Sequence, residues 1–504
     1  YLVNITLGGQ DFMVQIDTGS SDLWVNAKGR GEIKTTNQTD LIAKGEYGSG
    51  SVEGPELFAE LRLGGYTIPS QAFINATKFG GTMDIMEGIL GMAFDTAMIA
   101  GNFTDAYGPA AAATLARGPM TNLWAQDPSL PPFFDILLTR TDLRTHTASE
   151  GLFLIAQHVP EYAARVAAAR RLPRVHPDHW SVALEGVKIN GEPFTFTNNS
   201  AVEGVPEGTI VATLDTGATV ATVPAALAEA IYSGIPGAIY SEDEDDVNWY
   251  VPCNSSVNVT LVFGGKEYPV HPLDVSRMLS TEVTLPIANL SMGITLCQGG
   301  FQPATGKLSA FKAFDLLLGD TFLKNVYASY NYGDDYDRAN SSNSAPYVQL
   351  VSVIDADAAW AEFHAVRAEA LMAYPPALPP SLIAAFDNAT AAASSSPSPS
   401  ASGDSAADVG DAEVRGALSS GANADGDHGA GADGWAKYGA LGLGLLGANL
   451  AVGLVLVGLV LAMYVRGVKG RGAPRYAPLR LKEDAAAAAR GAGDFEEAHL
   501  KYGD

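Results

Sequence analysis

Residues 12–25 read Phe-Met-Val-Gln-Ile-Asp-Thr-Gly-Ser-Ser-Asp-Leu-Trp-Val, and residues 210–217 read Ile-Val-Ala-Thr-Leu-Asp-Thr-Gly. In both, an apolar strand-like run ends on Asp-Thr-Gly: Phe12–Ile16 before Asp17, Thr18 and Gly19, and Ile210–Leu214 before Asp215, Thr216 and Gly217. One such tripeptide is an ordinary turn. Two, each following an apolar strand, point to an internal duplication that brings one carboxylate from each half to a shared site. Carboxylates held that close cannot both ionise, so they share one proton. The ionised partner can take a proton from water while the protonated partner donates to a carbonyl oxygen. That chemistry hydrolyses an amide with no metal and no covalent intermediate. Gly permits close backbone approach, and Thr can fix the loop by hydrogen bonds.

Outward from these loops, residues 1–355 alternate short β-like runs with Gly and Asn. The runs are Leu2–Leu7, Phe12–Ile16, Leu57–Leu63, Gly151–Ile155, Trp180–Ile189, Thr209–Leu214, Val257–Phe263 and Tyr347–Val353. Gly64-Gly65 and Gly264-Gly265 read as hairpin turns, and helical patterns are few and short, such as Ala225–Tyr232. The expected class is mainly β. Residues 356–373, with Trp360, Phe363, Val366 and Leu371, read as a helix packing on the domain before it.

These residues resemble the pepsin-like aspartic proteases. Tyr1–Val25 is similar to that family's first catalytic strand, loop and Trp, and Tyr47-Gly48-Ser49-Gly50 resembles the tip of its flap. Gly88-Ile89-Leu90-Gly91 and Leu317–Leu323 resemble the motifs that support the two Asp loops. The likeness runs from residue 1 to about residue 354. It implies a bilobed fold with the cleft between two β-rich lobes, and an endopeptidase cutting extended polypeptides with apolar residues flanking the cut. By this resemblance Asp17 and Asp215 activate the water, Ser20 bonds the first carboxylate, and Thr18 and Thr216 lock the loops. Gly19, Gly217 and Thr219 line the substrate backbone. Tyr47, Gly48 and Ser49 clamp from the flap, and Trp24 hydrogen-bonds Tyr47. Cys253 and Cys297 match the region of the second lobe's disulfide; two buried thiols are the other reading. The same fold as an inactive surface protein binding peptide or cell-wall ligands is the alternative function, against which both Asp residues and Tyr47 stand.

The chain also departs from the family. Ala218 stands where many relatives carry a hydroxyl residue that bonds the second carboxylate. Losing that donor disfavours the charged form, so the expected optimum is acidic but less so than pepsin's, near about pH 5. The first lobe's small disulfide is absent. The chain opens at Tyr1 in a strand, with no initiator Met, signal or inhibitory propeptide, and so reads as a fragment or processed form truncated at its start. No cofactor or metal is expected: His176 and His179 are separated by Pro177, and no HExxH is present. The carboxylate run Glu242–Asp246 reads as a solvated loop, since it lacks the alternation and Gly turn of a calcium site.

Of 504 residues, 47% are hydrophobic and 17% charged, which suits globular domains with real cores. The net charge of −25 excludes nucleic-acid or anionic-lipid binding by bulk charge, and two cysteines exclude a disulfide-scaffold miniprotein. Tyr438–Val465 carries no charged residue, and as a helix it would reach about 40 Å. Asp425, Asp427 and Asp433 precede it, while Arg466, Lys469, Arg471 and Arg475 follow it. Positive-inside logic then places the tail in the cytoplasm and the rest in a lumen or outside the cell.

The expected organisation is an N-terminal lobe (1–170), a C-terminal lobe (171–355), a helix with a Ser/Pro/Gly-rich disordered stalk (356–436), a transmembrane helix (437–465) and a cytoplasmic tail (466–504). This is a type I protein of the secretory-pathway membrane, at the cell surface or in a vacuole or endosome, and monomeric. Glycosylation sequons agree with that orientation: Asn4, Asn37, Asn75, Asn102, Asn198, Asn254, Asn258, Asn289, Asn340 and Asn388 all precede the span. In the tail, Tyr476-Ala477-Pro478-Leu479 has the form of a tyrosine-based signal for a sorting adaptor.

Overall fold

The computed structural model describes residues 1–377, except residues 49, 82, 84–85, 144–149, 197–199, 201, 204, 206–207, 244–245, 286–289, 305–312 and 335–343. The expected stalk, span and tail, the Tyr476–Leu479 signal, and Ser49, Asn198, Asn289, Asn340 and Asn388 therefore lie outside the described residues. Among the described residues no helix is long and apolar enough to cross a membrane.

The fold is mainly β, and its two halves repeat one arrangement. Strand Gln10–Asp17 runs parallel to Gly88–Gly91, which is antiparallel to Leu23–Val25, which is parallel to Tyr66–Asn75. In the second half, Ile210–Leu214 runs parallel to Leu316–Leu318, which is antiparallel to Ala221–Val223, which is parallel to Phe301–Pro303. The same parallel–antiparallel–parallel series around each Asp-Thr-Gly is the structural form of the duplication. Burial explains why these strands lie centrally: all five residues of Ile210–Leu214 are buried, as are all four of Gly88–Gly91. Continuous burial on both faces is what a parallel pair requires.

A third sheet joins the halves. Its five antiparallel strands run Leu152–Ile155, Phe133–Leu137, Val326–Asn331, Tyr347–Ser352 and Leu172–Pro173. Above it, Phe94, Trp124, Phe134, Trp180, Tyr330 and Tyr332 form one buried aromatic cluster with ring centroids 4.5–6.1 Å apart. Trp180 Nε1 and Tyr332 Oη both donate to the carbonyl of Met92, at 2.8 and 2.7 Å, tying the second half to the residue after Gly91. The aromatic area gives the joint its stability, and both polar tips are satisfied.

The Gly-Gly turns close hairpins as expected. Leu63 pairs with Tyr66 and Phe263 with Lys266, with φ of +54° and +83° in the first turn and +59° and +74° in the second. Positive φ at both central residues is the type I′ signature that favours Gly. Helix Ala225–Tyr232 forms over the expected residues. The expected run Trp180–Ile189 instead divides into Ser181–Leu184 and Gly186–Ile189, in different sheets, because Glu185 turns its N–H to Val262. Helices Met98–Tyr107, Pro109–Leu115, Pro119–Gln126 and Pro160–Ala168 were not expected, although three open on Pro, a favoured first helical residue.

Helix Ala356–Ala373 docks as anticipated. Asp355 caps it by accepting from the amides of Asp357 and Ala358, and Phe363, Val366, Arg367 and Ala370 are buried. Arg367 donates to the carbonyls of Ser276 and Leu273 and reaches Cys297 Sγ. The chain then continues against the body, with Thr295 donating its N–H to Pro376 O at 3.0 Å and its hydroxyl to Pro375 O at 2.7 Å. Cys253 and Cys297 are disulfide-bonded, with Cα atoms 5.2 Å apart. Among the sequon residues, Asn4, Asn37, Asn254 and Asn258 are exposed, whereas Asn75 and Asn102 are half-buried.

Candidate active site

Each catalytic-type loop grows from the end of its central strand. Asp17 ends Gln10–Asp17, and its carbonyl accepts from Met92 N at 2.8 Å. Asp215 follows Ile210–Leu214, and its N–H donates to Leu318 O at 2.9 Å. The parallel neighbour therefore holds each Asp at the strand edge, where backbone pairing ends and side chains can converge. Ala93 N donates to Ser20 O, and Asp320 N donates to Ala218 O, so the supporting motifs also fix the loop backbones.

The two threonines cross between the loops. Thr18 N–H donates to Thr216 Oγ1 at 3.1 Å, and Thr216 N–H donates to Thr18 Oγ1 at 3.0 Å. Each hydroxyl then donates across, Thr18 to Leu214 O at 2.8 Å and Thr216 to Ile16 O at 2.9 Å. All four groups are buried, so losing any one leaves an unpaired polar atom in the interior. The glycines are fixed by the same symmetry. A Cβ on Gly19 would lie 2.4 Å from the Asp215 carboxyl carbon, and one on Gly217 would lie 2.4 Å from Asp17 Oδ1. Only Gly lets each loop pass against the opposite carboxylate.

The carboxyls meet at the centre, 6% and 9% exposed. Asp17 accepts from Gly19 N at 2.8 Å and from Ser20 Oγ at 2.6 Å. Asp215 accepts from Gly217 N at 2.7 Å and shares a hydrogen bond with Asp17; Ala218 supplies no side-chain donor. Burial pushes the Asp215 carboxyl well above the usual carboxylate range, and the charge of Asp17 beside it adds to the rise. The pair thus keeps one proton on the Asp215 side, which gives one acid and one base at acidic pH.

Around this centre the expected residues divide. Tyr47 pairs with Gly50 to close a hairpin whose turn includes exposed Gly48. The Tyr47 phenol is driven well above its ordinary pKa by burial, then by the charges of Asp22 and Asp17, and so stays neutral. Trp24 is fully buried, 6.4 Å from the Tyr47 ring and 6.3 Å from Phe79, at tilts of 54° and 55°. The Trp24 indole N–H and the Tyr47 hydroxyl are both buried and lie near each other without meeting hydrogen-bond geometry. Thr219 is exposed in the bend after the second loop, outside the carboxyl cluster.

Three residues near the centre were not anticipated. Gln15 Nε2 donates to Gly217 O at 2.9 Å, a further clamp between loops; its place two residues before Asp17 on the same strand face was the available signal. Asp22 accepts from Met98 N at 2.9 Å and Ile99 N at 3.3 Å, the first amides of helix Met98–Tyr107. His179 packs on Phe314 and His176 and precedes Trp180, whose carbonyl accepts from Leu214 N at 3.0 Å; nothing in its local sequence marks that position.

Comparison with known proteins follows this geometry. A family model described as eukaryotic aspartyl protease matches residues 1–338. Similar proteins include an aspartic protease of Phaffia rhodozyma, 27% identical over 348 residues, covering 66% of this chain and 73% of the relative. A vacuolar aspartic protease of Candida albicans is 26% identical over 356 residues, covering 66% and 72%. Cathepsin E of Rattus norvegicus is 25% identical over 358 residues, covering 66% and 78%.

Proposed function

The chain belongs to the eukaryotic aspartyl protease family and is an aspartic endopeptidase of the pepsin type, and from that premise we propose that Asp17 and Asp215 carry the reaction as one acid–base pair on a bound water. Asp215, holding the shared proton, donates it to the scissile carbonyl oxygen. Asp17 takes a proton from the water as its oxygen bonds to the carbonyl carbon. In the second step Asp17 returns that proton to the amide nitrogen, and Asp215 recovers its own from the tetrahedral hydroxyl. The C–N bond breaks and the pair regains its starting state. Ser20 and the amide of Gly19 stabilise the charge on Asp17. Thr18 and Thr216 keep the carboxyls aligned, Trp24 supports the flap, and Gly19, Gly217, Thr219, Tyr47, Gly48 and Ser49 bear on the substrate.

The observation that supports this reading is the reciprocity of the site: each loop's Gly admits the other loop's carboxylate, and each Thr bonds the other's backbone. The absence of a hydroxyl at Ala218 supports an optimum near about pH 5. Quenched peptide libraries cleaved from pH 2 to 8 test this, beside Asp215→Asn. A bell peaking near about pH 5 that the variant lacks is expected. A peak at about pH 2 would sink the Ala218 argument, and undiminished activity in the variant would sink the pair.

The proposal extends to placement. A monomeric enzyme faces a lumen or the exterior, is tethered by the helix and Ser/Pro/Gly-rich stalk of 356–436, is anchored by 437–465, and presents Tyr476–Leu479 to a sorting adaptor. The uncharged run 438–465 with its basic following flank supports this, as does sequon placement at exposed Asn37, Asn254 and Asn258. Its substrates are extended polypeptides with apolar residues flanking the cut. Carbonate extraction of the full chain from membranes checks the anchor: retention in the pellet is expected, and release would refute it.

A further inference from the structure

Gln15 lies two residues before Asp17 on the same face of strand Gln10–Asp17, paired with Leu2 on one side and Ile89 on the other. Held from both sides, it is a rigid base from which a side chain can reach into the opposite half. Its carboxamide does so, with Nε2 donating to Gly217 O at 2.9 Å. Gln15 is half-buried, and among the described residues this is its side chain's one hydrogen bond. The loop it reaches is the less supported of the two. Asp17 accepts from two groups of its own loop, Gly19 N at 2.8 Å and Ser20 Oγ at 2.6 Å. Asp215 accepts from one group of its loop, Gly217 N at 2.7 Å, because Ala218 stands three residues after it where Ser20 stands three after Asp17. Gly217 has no side chain to anchor it, and none would fit, since a Cβ there would lie 2.4 Å from Asp17 Oδ1. The next amide, Ala218 N, reaches back to Asp215 O only at 3.3 Å. Gly217 is therefore oriented by its own N–H on Asp215 and by Gln15 on its carbonyl. The clamp has no twin: two residues before Asp215 stands Thr213, whose hydroxyl is buried with no hydrogen-bond partner.

We propose that Gln15 is a positioning residue for Asp215: by pinning the Gly217 carbonyl it keeps the Gly217 N–H on the Asp215 carboxyl, and so does for the second loop part of what the Ser20 hydroxyl does for the first. This rests on the reading of Asp17 and Asp215 as the catalytic pair. Without Gln15 the peptide after Gly217 turns about glycine's two free dihedrals, and the N–H leaves the carboxyl it holds toward its partner. Proton transfer needs both carboxyls aligned on one water, so the loss falls on the reacting state more than on substrate binding.

The test measures kcat and KM on one quenched peptide at acidic pH for the full chain, Gln15→Met and Gln15→Asn, each also combined with Ala218→Ser, with Ala218→Ser alone and Asp215→Asn as controls. Met has nearly the length of Gln and no donor; Asn keeps the carboxamide and withdraws it by one methylene. Each should lower kcat by about tenfold, the worth of one hydrogen bond made in the reacting geometry, while KM stays within about twofold. A side chain that only fills the strand face would not split the two constants in this way. Ala218→Ser puts a hydroxyl where Ser20 stands in the first loop, so in that background the Gln15 variants should lose only about twofold in kcat. Thermal melts identify a misfolded Met variant, in which case the Asn variant decides. With Asp215→Asn inactive, kcat unchanged in the Gln15 variants, a loss confined to KM, or an equal loss with and without Ala218→Ser overturns the role of Gln15 alone. Activity surviving in Asp215→Asn overturns the catalytic pair and this proposal with it.

Discussion

Asp22 makes the first half of the protein dependent on acid. It is 6% exposed, and its carboxyl accepts the first two amides of helix Met98–Tyr107. Burial outweighs those bonds and raises its pKa from the ordinary 3.8 to about 6, with Asp95 adding to the rise. A carboxyl raised on folding binds its proton more tightly in the folded chain. Its contribution is fully present below the unfolded pKa, near 4, and is lost as pH climbs through about 6. The shift of about two units amounts to about 3 kcal/mol lost between pH 4 and 7.5. Asp22→Asn removes the titration while keeping one capping acceptor, so at pH 4 it should cost no more than about 1 kcal/mol. Urea unfolding at the two pH values, with Glu56→Gln in both backgrounds because burial and then the Asp22 charge raise Glu56 to about 7, isolates the effect from Asp320, raised to about 6, which both proteins share. The wild type should lose about 3 kcal/mol more than the variant across the interval. Equal pH dependence would refute the assignment of that proton to Asp22.

Thr216→Val removes a hydroxyl that both accepts from Thr18 N–H and donates to Ile16 O, leaving two buried groups unpaired. Stability should fall by about 2–4 kcal/mol, and kcat should fall more than KM rises, since alignment of the carboxyls is lost; steady-state kinetics at pH 5 and urea melts read both. Arg367→Ala leaves the Ser276 carbonyl without its guanidinium and opens a void beside the disulfide. A loss of about 2–4 kcal/mol is expected in urea melts, with KM unchanged.

Local pattern carried the sequence reading where local pattern decides structure. The strands before Asp17 and Asp215, the Gly-Gly hairpins and the helix over 356–373 are each set by residues within a turn or a strand length. The site's centre was legible for the same reason, since each Asp-Thr-Gly is contiguous and its twin repeats the strand context. What escaped was set by distant partners. Helix Met98–Tyr107 depends on Asp22 for its cap, 76 residues upstream of Met98. The sheet joining Phe133–Leu137 to Val326–Asn331 pairs segments whose alternation gives no hint of each other. Gln15 clamps the loop of the opposite half, donating to Gly217 O, 202 residues further along the chain.

The central claim is that Asp17 and Asp215 act as one unit. The kcat of Asp17→Asn, Asp215→Asn and the double variant on one peptide at about pH 5 tests it most directly, with circular dichroism confirming each fold. Each single change should lower kcat by about a thousandfold or more, and the double should fall no further than the worse single, because neither carboxyl works without the other. Either single variant retaining kcat within about tenfold of wild type, or losses that multiply in the double, would contradict it.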